Sequence, residues 1–248
     1  MEDRFAGRAQ WFDEHYASTR GSLRLELVLE RLRSSLPPPP AQILDAGGGT
    51  GAFAVPLAAG GYDVTLLDGS AEWLDVARRN AEAARVSLRL VKGSVEAPPA
   101  GLPLYEAVLC HAVLMYVGDP ETALRALRSM TRDGGILSLL EKNRDALALR
   151  PGFGGDYREA ERLLTARDSV GRLGVRNRAH NVEEWRAMLG RSGWQVEDWR
   201  GVRLFSDAAP DDLDAADFQA LLDLERAAGS LEPYRSVSRL IHFLAKAC

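Results

Sequence analysis

Four glycines within five positions form the segment of this sequence with the clearest chemical use. The segment LDAGGGTG (44–51) contains Gly47, Gly48, Gly49 and Gly51. Glycine lets the backbone approach a ligand closely because no side chain intervenes. Gly47 and Gly49, together with Ala52, match the dinucleotide fingerprint G-x-G-x-x-G/A, so the loop alone is compatible with NAD. A tight turn without a ligand is the structural alternative.

Two acidic residues near this loop suit a different ligand. S-adenosylmethionine (SAM) has no pyrophosphate; its ammonium group favours a carboxylate, and its sulfonium must lie against bare backbone. Asp45, at the end of a predicted strand, suits the ammonium group, directly or through water. Asp68 ends the next predicted strand, 23 residues later, and could accept hydrogen bonds from both hydroxyls of a ribose. That role serves NAD and SAM equally. Helix capping is the alternative role for Asp68.

The exit from a third predicted strand separates the two ligands. It consists of Gly93-Ser94-Val95-Glu96, and methyltransferases with this alternating fold bind adenine there with a backbone amide and a side chain. This feature, and a sheet that ends in an antiparallel insertion, favour SAM over NAD. Ser94 could otherwise be a plain turn residue. His111, inside an apolar strand, could be a core histidine with satisfied hydrogen bonds.

Strands and helices alternate after the proline run at 37–40, and this order positions the candidate residues. Strands are predicted at 41–47, 62–68, 87–94, 106–117 and 134–143, with helices at 50–61, 70–84 and 120–130. Ser70 and Asp119 could cap the last two helices. Such alternation implies βαβ units and a parallel sheet. We therefore predict an α/β, doubly wound fold, with a seven-stranded, mostly parallel sheet and helices on both faces.

The same pattern predicts the boundaries of the parts. One domain spans 1–248, with an N-terminal helical cap at 1–36 and a cofactor-binding core at 41–143. A polar stretch rich in arginine and glycine at 145–180 breaks the alternation and is predicted to be an inserted lid. Residues 181–248 then complete the sheet with two strands and a helix. A further helix begins there with Asn181 and Glu184 in the positions of a capping box.

Composition narrows the class of protein. Hydrophobic residues make up 46% of the 248 residues and charged residues 27%, which is typical of a soluble globular protein. No apolar run approaches the length of roughly 18 residues that a membrane span needs. The charged N-terminus lacks the apolar stretch of a secretory signal, so a cytoplasmic location is expected. The net charge of −4 gives no strong attraction to nucleic acid or membranes. Cys110, Cys248 and four scattered histidines predict neither a disulfide framework nor a metal site.

The N-terminal segment DRFAGRAQWFDEHYASTRGSLR (3–24) combines aromatic residues with a basic turn. Its aromatic residues are Phe5, Trp11, Phe12 and Tyr16. Aromatic rings beside a sulfonium gain about 0.5–2 kcal/mol of cation–π energy. An arginine in the turn could pair bidentately with the carboxylate of the cofactor. An ordinary amphipathic helix is the alternative.

Six segments, taken in order, resemble the bacterial tRNA 5-carboxymethoxyuridine methyltransferase family. They are DRFAGRAQWFDEHYASTRGSLR, ILDAGGGTG, CHAVLMYVGDP, GGILSLLEKN, GWQVEDWRGVRLFSD and EPYRSVSRLIHFLAK. The resemblance covers nearly the whole chain and is weakest between 145 and 180. Its most specific parts are the Y-x-S-T-[KR]-G-x-L-R segment and the H-A-V-L strand. It implies the class I SAM methyltransferase fold, SAM as methyl donor with S-adenosylhomocysteine as product, and methyl esterification of a carboxylate on a wobble uridine of tRNA.

The resemblance also implies roles for individual residues. Arg24 would hold the carboxylate of the cofactor, and the first two loop glycines would line its methionine part. Asp68 would bind the ribose, Ser94 and Val95 the adenine edge, and His111 would lie near the methionine or the sulfonium. No catalytic residue and no metal ligand is predicted. The predicted cofactor-binding residues are Arg24, Asp45, Gly47, Gly48, Gly49, Asp68, Ser94, Val95 and His111.

The inserted lid departs from that family because it lacks a lysine-rich run. Its arginines between 158 and 178 are Arg158, Arg162, Arg167, Arg172, Arg176 and Arg178. Its acids there are Glu159, Glu161 and Asp168. The excess of positive charge could follow a phosphate backbone, or it could be a solvated face.

The favoured function is SAM-dependent methylation of a carboxylate oxygen, with 5-carboxymethoxyuridine at the tRNA wobble position as acceptor. A carboxylate has a pKa of about 4 and is already a nucleophile at neutral pH, so it needs no general base. It needs an orienting cation, for which Arg200, Arg203 and the lid arginines are candidates, with Tyr157 as a hydrogen-bond donor. The alternatives are methylation of an oxygen or nitrogen of a small metabolite, and an NAD-binding oxidoreductase or a catalytically silent nucleotide-binding module.

Overall fold

The computed structural model describes residues 7–171 and 174–248. Within these residues the strands are β1 (Gln42–Ala46), β2 (Asp63–Asp68), β3 (Arg89–Lys92), β4 (Tyr105–His111), β5 (Thr131–Lys142), β6 (Asp168–Val170), β7 (Arg176–Arg178), β8 (Trp194–Val202) and β9 (Leu240–Ala247). The α-helices are α1 (Ala9–Ala17), α2 (Thr19–Ser35), α3 (Ala54–Ala59), α4 (Ala71–Ala83), α5 (Pro120–Ser129), α6 (Leu149–Phe153), α7 (Tyr157–Leu163), α8 (Val182–Arg191) and α9 (Ala215–Ala228). In this part of the chain no helix combines the length and apolarity that crossing a bilayer requires.

Seven strands form one sheet in the order β3-β2-β1-β4-β5-β9-β8. The strands from β3 to β5 are parallel, and β9 runs antiparallel between β5 and β8. The strand order reverses between β1 and β4, which leaves a crevice at the carboxyl ends of the strands, where ligands bind in doubly wound folds. This is the class I SAM methyltransferase fold, so the predicted fold class is confirmed.

Helices cover both faces of the sheet because successive residues of a strand point to opposite sides. In β1, Ile43 packs with residues of α2, α3 and α9, whereas Leu44 packs with residues of α5 and α8. Both side chains are fully buried, as expected for a parallel strand with two covered faces. At the N-terminus, α1 and α2 are separate helices because Ser18 interrupts them. Its hydroxyl accepts a hydrogen bond from the Gly21 amide at 3.3 Å and so caps α2.

The predicted helix caps have mixed outcomes. Asp119 accepts the Glu121 amide at 3.0 Å at the start of α5, and the capping box predicted at the start of α8 is present. Ser70 lies at the N-cap position of α4, but its side chain makes no capping hydrogen bond, so that prediction was wrong. Its backbone amide donates instead to Asp68 Oδ1 at 2.9 Å. The carboxylate of the preceding strand thus satisfies the backbone amide of the N-cap residue, which is not the bond that a capping hydroxyl makes.

The fourth strand is shorter than its apolar sequence predicted. It ends at His111 rather than near 117 because Ala112 adopts a left-handed backbone conformation, with φ of 59°. A short 3-10 helix (Leu114–Tyr116) follows. The buried Glu141 carboxylate of β5 accepts hydrogen bonds from the three backbone amides of 113–115, at 2.7–3.1 Å. These bonds satisfy amides that the start of a helix leaves without partners, and they hold the turn against β5.

The segment 145–180 leaves the sheet and returns to the place where it left. It contains α6, α7 and an antiparallel hairpin of β6 and β7. Its ends are joined because Asn143 and His180 form an isolated parallel bridge. We call this segment the insert. It adds its own walls above the carboxyl edge of the sheet without altering the order of the strands.

Candidate cofactor and acceptor site

The glycine loop follows β1 and is fixed against the end of β2. The Gly47 amide donates to the Leu67 carbonyl at 2.7 Å. Gly47 and Gly49 have φ of 75° and 58°, the left-handed region that favours glycine. A Cβ at Gly48 would lie 2.7 Å from the Asp45 carboxylate. The loop therefore needs glycine both for its turn and because it lies directly on that side chain.

Asp45 is the buried acid beneath the loop. It is 2% exposed, and its Oδ2 has no hydrogen-bond partner among the described residues. Burial, and after it the negative charge of Asp68, raise the pKa of Asp45 to about 7, because both disfavour the ionised form. A cation placed against Oδ2 would restore the charge. The position thus suits the ammonium group that the sequence assigned to it.

Asp68 ends β2 and contacts both the loop and the next helix. Its Oδ2 accepts the Gly49 amide at 3.0 Å, and its Oδ1 accepts the Ser70 amide at 2.9 Å. The second bond is the helix-start contact that was the alternative role for this residue. An ionised carboxylate has about four acceptor positions, so these two bonds are compatible with binding ribose hydroxyls as well.

The turn after β3 lies beside the end of β2. The Gly93 amide donates to the Asp68 carbonyl at 3.0 Å. Ser94 is exposed, and its hydroxyl accepts the Glu96 amide at 3.2 Å, a contact within the turn. Val95 is buried in the core below. The structure therefore brings this turn to the same edge of the sheet as the glycine loop and Asp68.

Arg24 and Tyr16, from the two N-terminal helices, lie in contact with each other within electrostatic range of Asp45 and His111. The Arg24 guanidinium lies over the Tyr16 ring, 4.5 Å from its centroid. Arg24 is 6% exposed, and its Nε and Nη2 have no hydrogen-bond partner in the described part of the chain. Burial raises the pKa of Tyr16, Arg24 opposes that shift and Asp45 adds to it. A buried cation with two unpartnered donors is suited to a bidentate carboxylate ligand.

The rest of the N-terminal segment is engaged in other contacts. Its other aromatic rings pack in the pairs Phe12–Trp73, with centroids 5.0 Å apart, and Trp11–His15, with centroids 5.5 Å apart. Phe5 lies outside the described residues. Arg20, the arginine of the basic turn, forms an ion pair with Asp211 at 2.5 Å. Arg24, on the first turns of α2, has two unpartnered donors, whereas Arg20 has one, its Nε, and its guanidinium is already paired with an acid.

His111, at the end of β4, begins a chain of buried hydrogen bonds that crosses three strands. Its Nε2 lies 2.8 Å from Ser138 Oγ, which lies 2.7 Å from His242 Nε2. His242 Nδ1 is 3.1 Å from Nη1 of Arg31. Arg31 in turn pairs with Asp198 at 2.7 Å. The chain therefore runs from a half-exposed carboxylate on β8, through a buried arginine of α2, to His111 at the end of β4.

The direction of donation along this chain determines where His111 carries its hydrogen. Arginine only donates, so His242 Nδ1 accepts and its Nε2 donates to Ser138. The serine hydroxyl then donates to His111 Nε2, which leaves the hydrogen of the neutral ring on Nδ1, an atom with no partner among the described residues. Burial, and after it the charge of Arg24, lower the pKa of His111 to about 3. His111 therefore offers an N–H donor and is not a base.

A cleft of about 410 Å³ lies between the 3-10 helix after β4 and the hairpin of the insert. We call it the acceptor cleft; it is lined in part by Tyr116, Gly118, Asp168, Arg176, Asn177 and Arg178. Burial raises the pKa of Tyr116 most, Glu141 adds to the rise and Arg24 opposes it. Arg178 Nη1 donates to the Gly118 carbonyl at 3.0 Å and so joins the two walls. The cleft thus lies within electrostatic range of Arg24, because the charge of Arg24 affects the pKa of Tyr116.

Three of the six arginines that the structure describes in the insert are paired with acids. The pairs are Arg162–Glu159, Arg167–Glu184 and Arg176–Asp168. Arg172 lies outside the described residues, and Arg158 is exposed on α7. Arg176 and Arg178 are the insert arginines that line the acceptor cleft. These two remain candidates to orient an acceptor carboxylate.

The other predicted acceptor contacts lie apart from the acceptor cleft. Arg200 pairs with Asp198 at 3.6 Å, and Arg203 pairs with Asp207. Tyr157 is 74% exposed at the start of α7. None of the three lines the cleft. Their chemistry was suitable, but the topology directs their side chains to other partners.

Sequence reasoning missed Ser138, Glu141, Lys142 and His242. Glu141 and Lys142 could have been found in the sequence, because they are charged residues at the end of the apolar run ILSLLEKN. Charged side chains in a buried strand need polar partners. Ser138 and His242 carried none. Their contact joins positions 104 residues apart, and it exists only because β9 inserts beside β5.

Three buried side chains of the site have polar atoms without partners among the described residues, namely Asp45 Oδ2, Nε and Nη2 of Arg24, and His111 Nδ1. They combine an acceptor with several donors, which is chemistry suited to a ligand that carries both an ammonium group and a carboxylate. Within residues 7–171 and 174–248, no three His, Cys, Asp or Glu side chains converge as a metal site would require. A family model described as a methyltransferase domain matches residues 44–139. Fold, crevice and family model together define a SAM-dependent methyltransferase, so the dinucleotide alternative is set aside.

Comparison with known proteins identifies the family within this class. The chain is 34% identical to the tRNA 5-carboxymethoxyuridine methyltransferase of Escherichia coli, over 99% of this chain and 97% of that protein. It is 38% identical to a ubiquinone biosynthesis O-methyltransferase of Pectobacterium carotovorum, over only 43% of this chain and 45% of that protein. A SAM-dependent methyltransferase of Thermotoga maritima, a possible histamine N-methyltransferase, has the same fold, with a TM-score of 0.66, 17% identity and coverage of 98% and 97% of the two chains. The chain belongs to the tRNA 5-carboxymethoxyuridine methyltransferase family.

Proposed function

We propose that this enzyme transfers the methyl group of SAM to a carboxylate oxygen of 5-carboxymethoxyuridine at the wobble position of tRNA. The observation that carries the proposal is the similarity to the E. coli enzyme along essentially the whole chain, N-terminal helices and insert included. Similarity to the ubiquinone enzyme covers less than half of the chain. A substrate in the cytoplasm would place the enzyme there.

The proposed cofactor contacts follow from the unpartnered atoms of the crevice. Arg24 would bind the carboxylate of the cofactor through Nε and Nη2, and Asp45 would bind its ammonium group through Oδ2. The backbone of Gly47, Gly48 and Gly49 would lie along the methionine part. At the other end, Asp68 would accept the ribose hydroxyls, and the turn at Ser94 and Val95 would bind the adenine edge.

The remaining chemistry can proceed without a general base. Bound SAM supplies a methyl group on a sulfonium, which is an electrophile. The acceptor carboxylate is ionised at neutral pH and carries its own nucleophilic lone pair. The neutral ring of His111 adds no positive charge beside the sulfonium. The task left to the protein is to align the two groups and exclude water, a contribution that reaches about 7–11 kcal/mol in well-oriented systems.

An acceptor carboxylate needs a cation that orients it without removing its charge. Arg176 and Arg178 line the acceptor cleft, and Tyr116 lies on its other wall. Arg176 is already paired with Asp168 at 2.7 Å through Nη2. The other N–H groups of its guanidinium can bind a second oxyanion. We infer that this pair of arginines orients the acceptor, and that Tyr116 packs against its base.

A small metabolite is the second candidate acceptor. The observation that favours it is the pairing of the insert arginines with acids, which reduces the positive charge available to RNA. An O- or N-acceptor of this kind would fill the same cleft, whose volume of about 410 Å³ is within the range of small-molecule sites.

Transfer of labelled methyl from SAM distinguishes the two acceptors. The full chain is incubated with tRNA that carries unesterified 5-carboxymethoxyuridine, and in parallel with a metabolite extract. The label is then tested for release by mild alkali, because esters hydrolyse readily whereas ethers and methylated amines do not. Alkali-labile label in tRNA is the expected result. Label confined to the metabolite fraction, or alkali-stable label in tRNA, would contradict the proposal.

A further inference from the structure

A second cavity lies between the insert and the chain at the end of β5 and the start of β9. Its volume is about 280 Å³. Three cationic side chains line it, namely Lys142, Arg150 and Arg239. The volume is just below the roughly 300–1,000 Å³ of small-molecule sites, so the cavity suits a compact group. We call it the cationic cavity.

Lys142 is the buried member of this group. It is 5% exposed, and its Nζ donates to the Ser169 hydroxyl and, at 2.8 Å, to Asn177 Oδ1. An ammonium group has three hydrogens, and the described residues provide acceptors for two of them. Burial, and then repulsion from Arg239 and Arg150, lower the pKa of Lys142 to about 7. An anion in the cavity would use the third hydrogen and relieve that repulsion.

The two arginines also have capacity to bind an anion. The Arg239 Nε lies 3.7 Å from Asp207 Oδ2, too far for a hydrogen bond, and Asp207 is already bound by Arg203. The exposed Arg150 guanidinium has neither an ion pair nor a hydrogen bond within the described part of the chain. Arg150 also contributes to lowering the pKa of Arg239, after burial. Cations that repel one another around a cavity are stabilised by a shared oxyanion.

The acids that line the cavity are committed to local contacts. Asp156 caps α7 by accepting the Glu159 amide at 3.1 Å. Glu159 accepts two hydrogen bonds of 2.7 Å from Arg162. Each acid therefore has a partner of its own, and the cavity keeps an excess of positive charge.

We propose that the cationic cavity binds a backbone phosphate of the RNA acceptor, with Lys142, Arg150 and Arg239 as its donors. The identity of the ligand as RNA rests on the proposed function, whereas the oxyanion site rests on the cavity itself. An acceptor carboxylate does not belong here, because it must reach the methyl group and neither Arg24 nor His111 lines the cavity. A backbone phosphate is remote from the reacting atom, and such contacts position a nucleic acid on a protein.

Inorganic phosphate tests the oxyanion site directly. The melting temperature of the full chain is followed as phosphate replaces chloride at constant ionic strength, with saturating S-adenosylhomocysteine so that the crevice is filled. Variant Arg150→Ala removes an exposed, unpaired donor and should fold normally. Variant Arg186→Ala makes the same charge change on the exposed face of α8, away from the cavity. Phosphate should raise the melting temperature of the wild type and Arg186→Ala more than that of Arg150→Ala.

Binding of tRNA tests the source of the phosphate. The dissociation constant is measured between about 50 and 200 mM salt, where phosphate contacts dominate. Arg150→Ala should weaken binding about tenfold, because a hydrogen bond to a charged group is lost. It should also lower the slope of log affinity against log salt concentration by roughly 0.7–0.9. Arg150→Lys retains the charge and should keep the slope, and Arg186→Ala should match the wild type.

The outcomes separate the two levels of the proposal. An equal effect of phosphate on the wild type, Arg150→Ala and Lys142→Met would overturn the oxyanion site. A phosphate effect confined to chains with an intact cavity, with equal tRNA affinity in all variants, would overturn the assignment to RNA. If tRNA binds with the expected pattern but takes up no methyl group, the proposed function fails while the phosphate site stands.

Discussion

Replacing Arg24 by methionine should raise the stability of the ligand-free enzyme and weaken cofactor binding. Arg24 is a buried cation whose Nε and Nη2 have no partners among the described residues. Its charge also contributes, after burial, to lowering the pKa of Arg203, so the two guanidinium groups repel each other. Methionine keeps the unbranched, apolar part of the side chain and removes the guanidinium group with its charge. The substitution therefore removes a cost of folding and, with it, the ligand for the carboxylate of the cofactor.

The size of the stability change follows from the contacts of Arg24. Two buried donors without partners destabilise the folded state by about 2–6 kcal/mol at about 1–3 kcal/mol each. The contact with the Tyr16 ring offsets about 0.5–2 kcal/mol of this. A net gain of about 2 kcal/mol is therefore reasonable, and at about 2–4 °C per kcal/mol for chains of this size it raises the melting temperature by about 4–8 °C.

The effect on binding is of opposite sign and comparable size. Loss of one or two hydrogen bonds to a charged group costs about 1.5–3 kcal/mol each, so S-adenosylhomocysteine should bind at least about tenfold more weakly. Calorimetric titration gives the affinity, and thermal unfolding without ligand gives the stability. Arg33→Met on the same helix, where the arginine is exposed, is the matched control and should change neither. A variant that is less stable than the wild type, or that binds the ligand equally well, would refute the reasoning.

Three further predictions concern the buried groups of the site. Burial raises the pKa of Asp45 to about 7, and a cofactor ammonium group requires the ionised carboxylate, so affinity for S-adenosylhomocysteine should rise about tenfold from pH 6 to pH 7.5. Asp45→Asn should bind weakly, and its affinity should not depend on pH in this range. A steep pH dependence in that variant would contradict the assignment. The pKa of His111 is lowered to about 3, so nitrogen-15 NMR should show a neutral ring with the hydrogen on Nδ1 down to pH 5. In Ser138→Ala the ring should be a mixture of the two tautomers. A wild-type His111 that becomes protonated near pH 6.5 would disprove the hydrogen-bond chain. Glu141→Gln should lower the free energy of unfolding by about 1–3 kcal/mol, because an amide NH₂ then faces a backbone N–H. Chemical denaturation measures this free energy. An unchanged denaturation midpoint would show that the carboxylate does not hold the turn after β4.

The sequence predicted the sheet because each strand is a separate apolar run between turn signals. The periodic helices and the glycine loop were equally visible, and the crevice follows from the order of these elements. Strand ends were less predictable. The fourth strand stops at His111 although the apolar run continues, because a left-handed Ala112 and the Glu141 carboxylate on a neighbouring strand impose a turn. Such a tertiary constraint leaves no trace in local hydrophobicity.

The candidate site was also predictable only in part, because some of its residues depend on tertiary contacts. The roles predicted for Asp45 and Arg24 agree with their burial and their unpartnered atoms, but they remain predictions until a ligand is bound. The acceptor residues could not be foreseen. Arg200 and Arg203 have the right chemistry, yet each has an acidic partner nearby. Lys142 reaches its partners only because a distant hairpin folds back over the end of β5.

The bridge between Asn143 and His180 has a consequence for how this enzyme can diverge. Because the insert starts and ends at neighbouring points, its length and sequence can drift while the sheet and the SAM crevice stay unchanged. The insert can therefore be exchanged as one unit, and we expect such an exchange to change the methyl acceptor. Grafting residues 145–180 between relatives with different substrates should transfer acceptor choice without redesign of the cofactor site, and a chimera that keeps the preference of its core would show that specificity resides elsewhere.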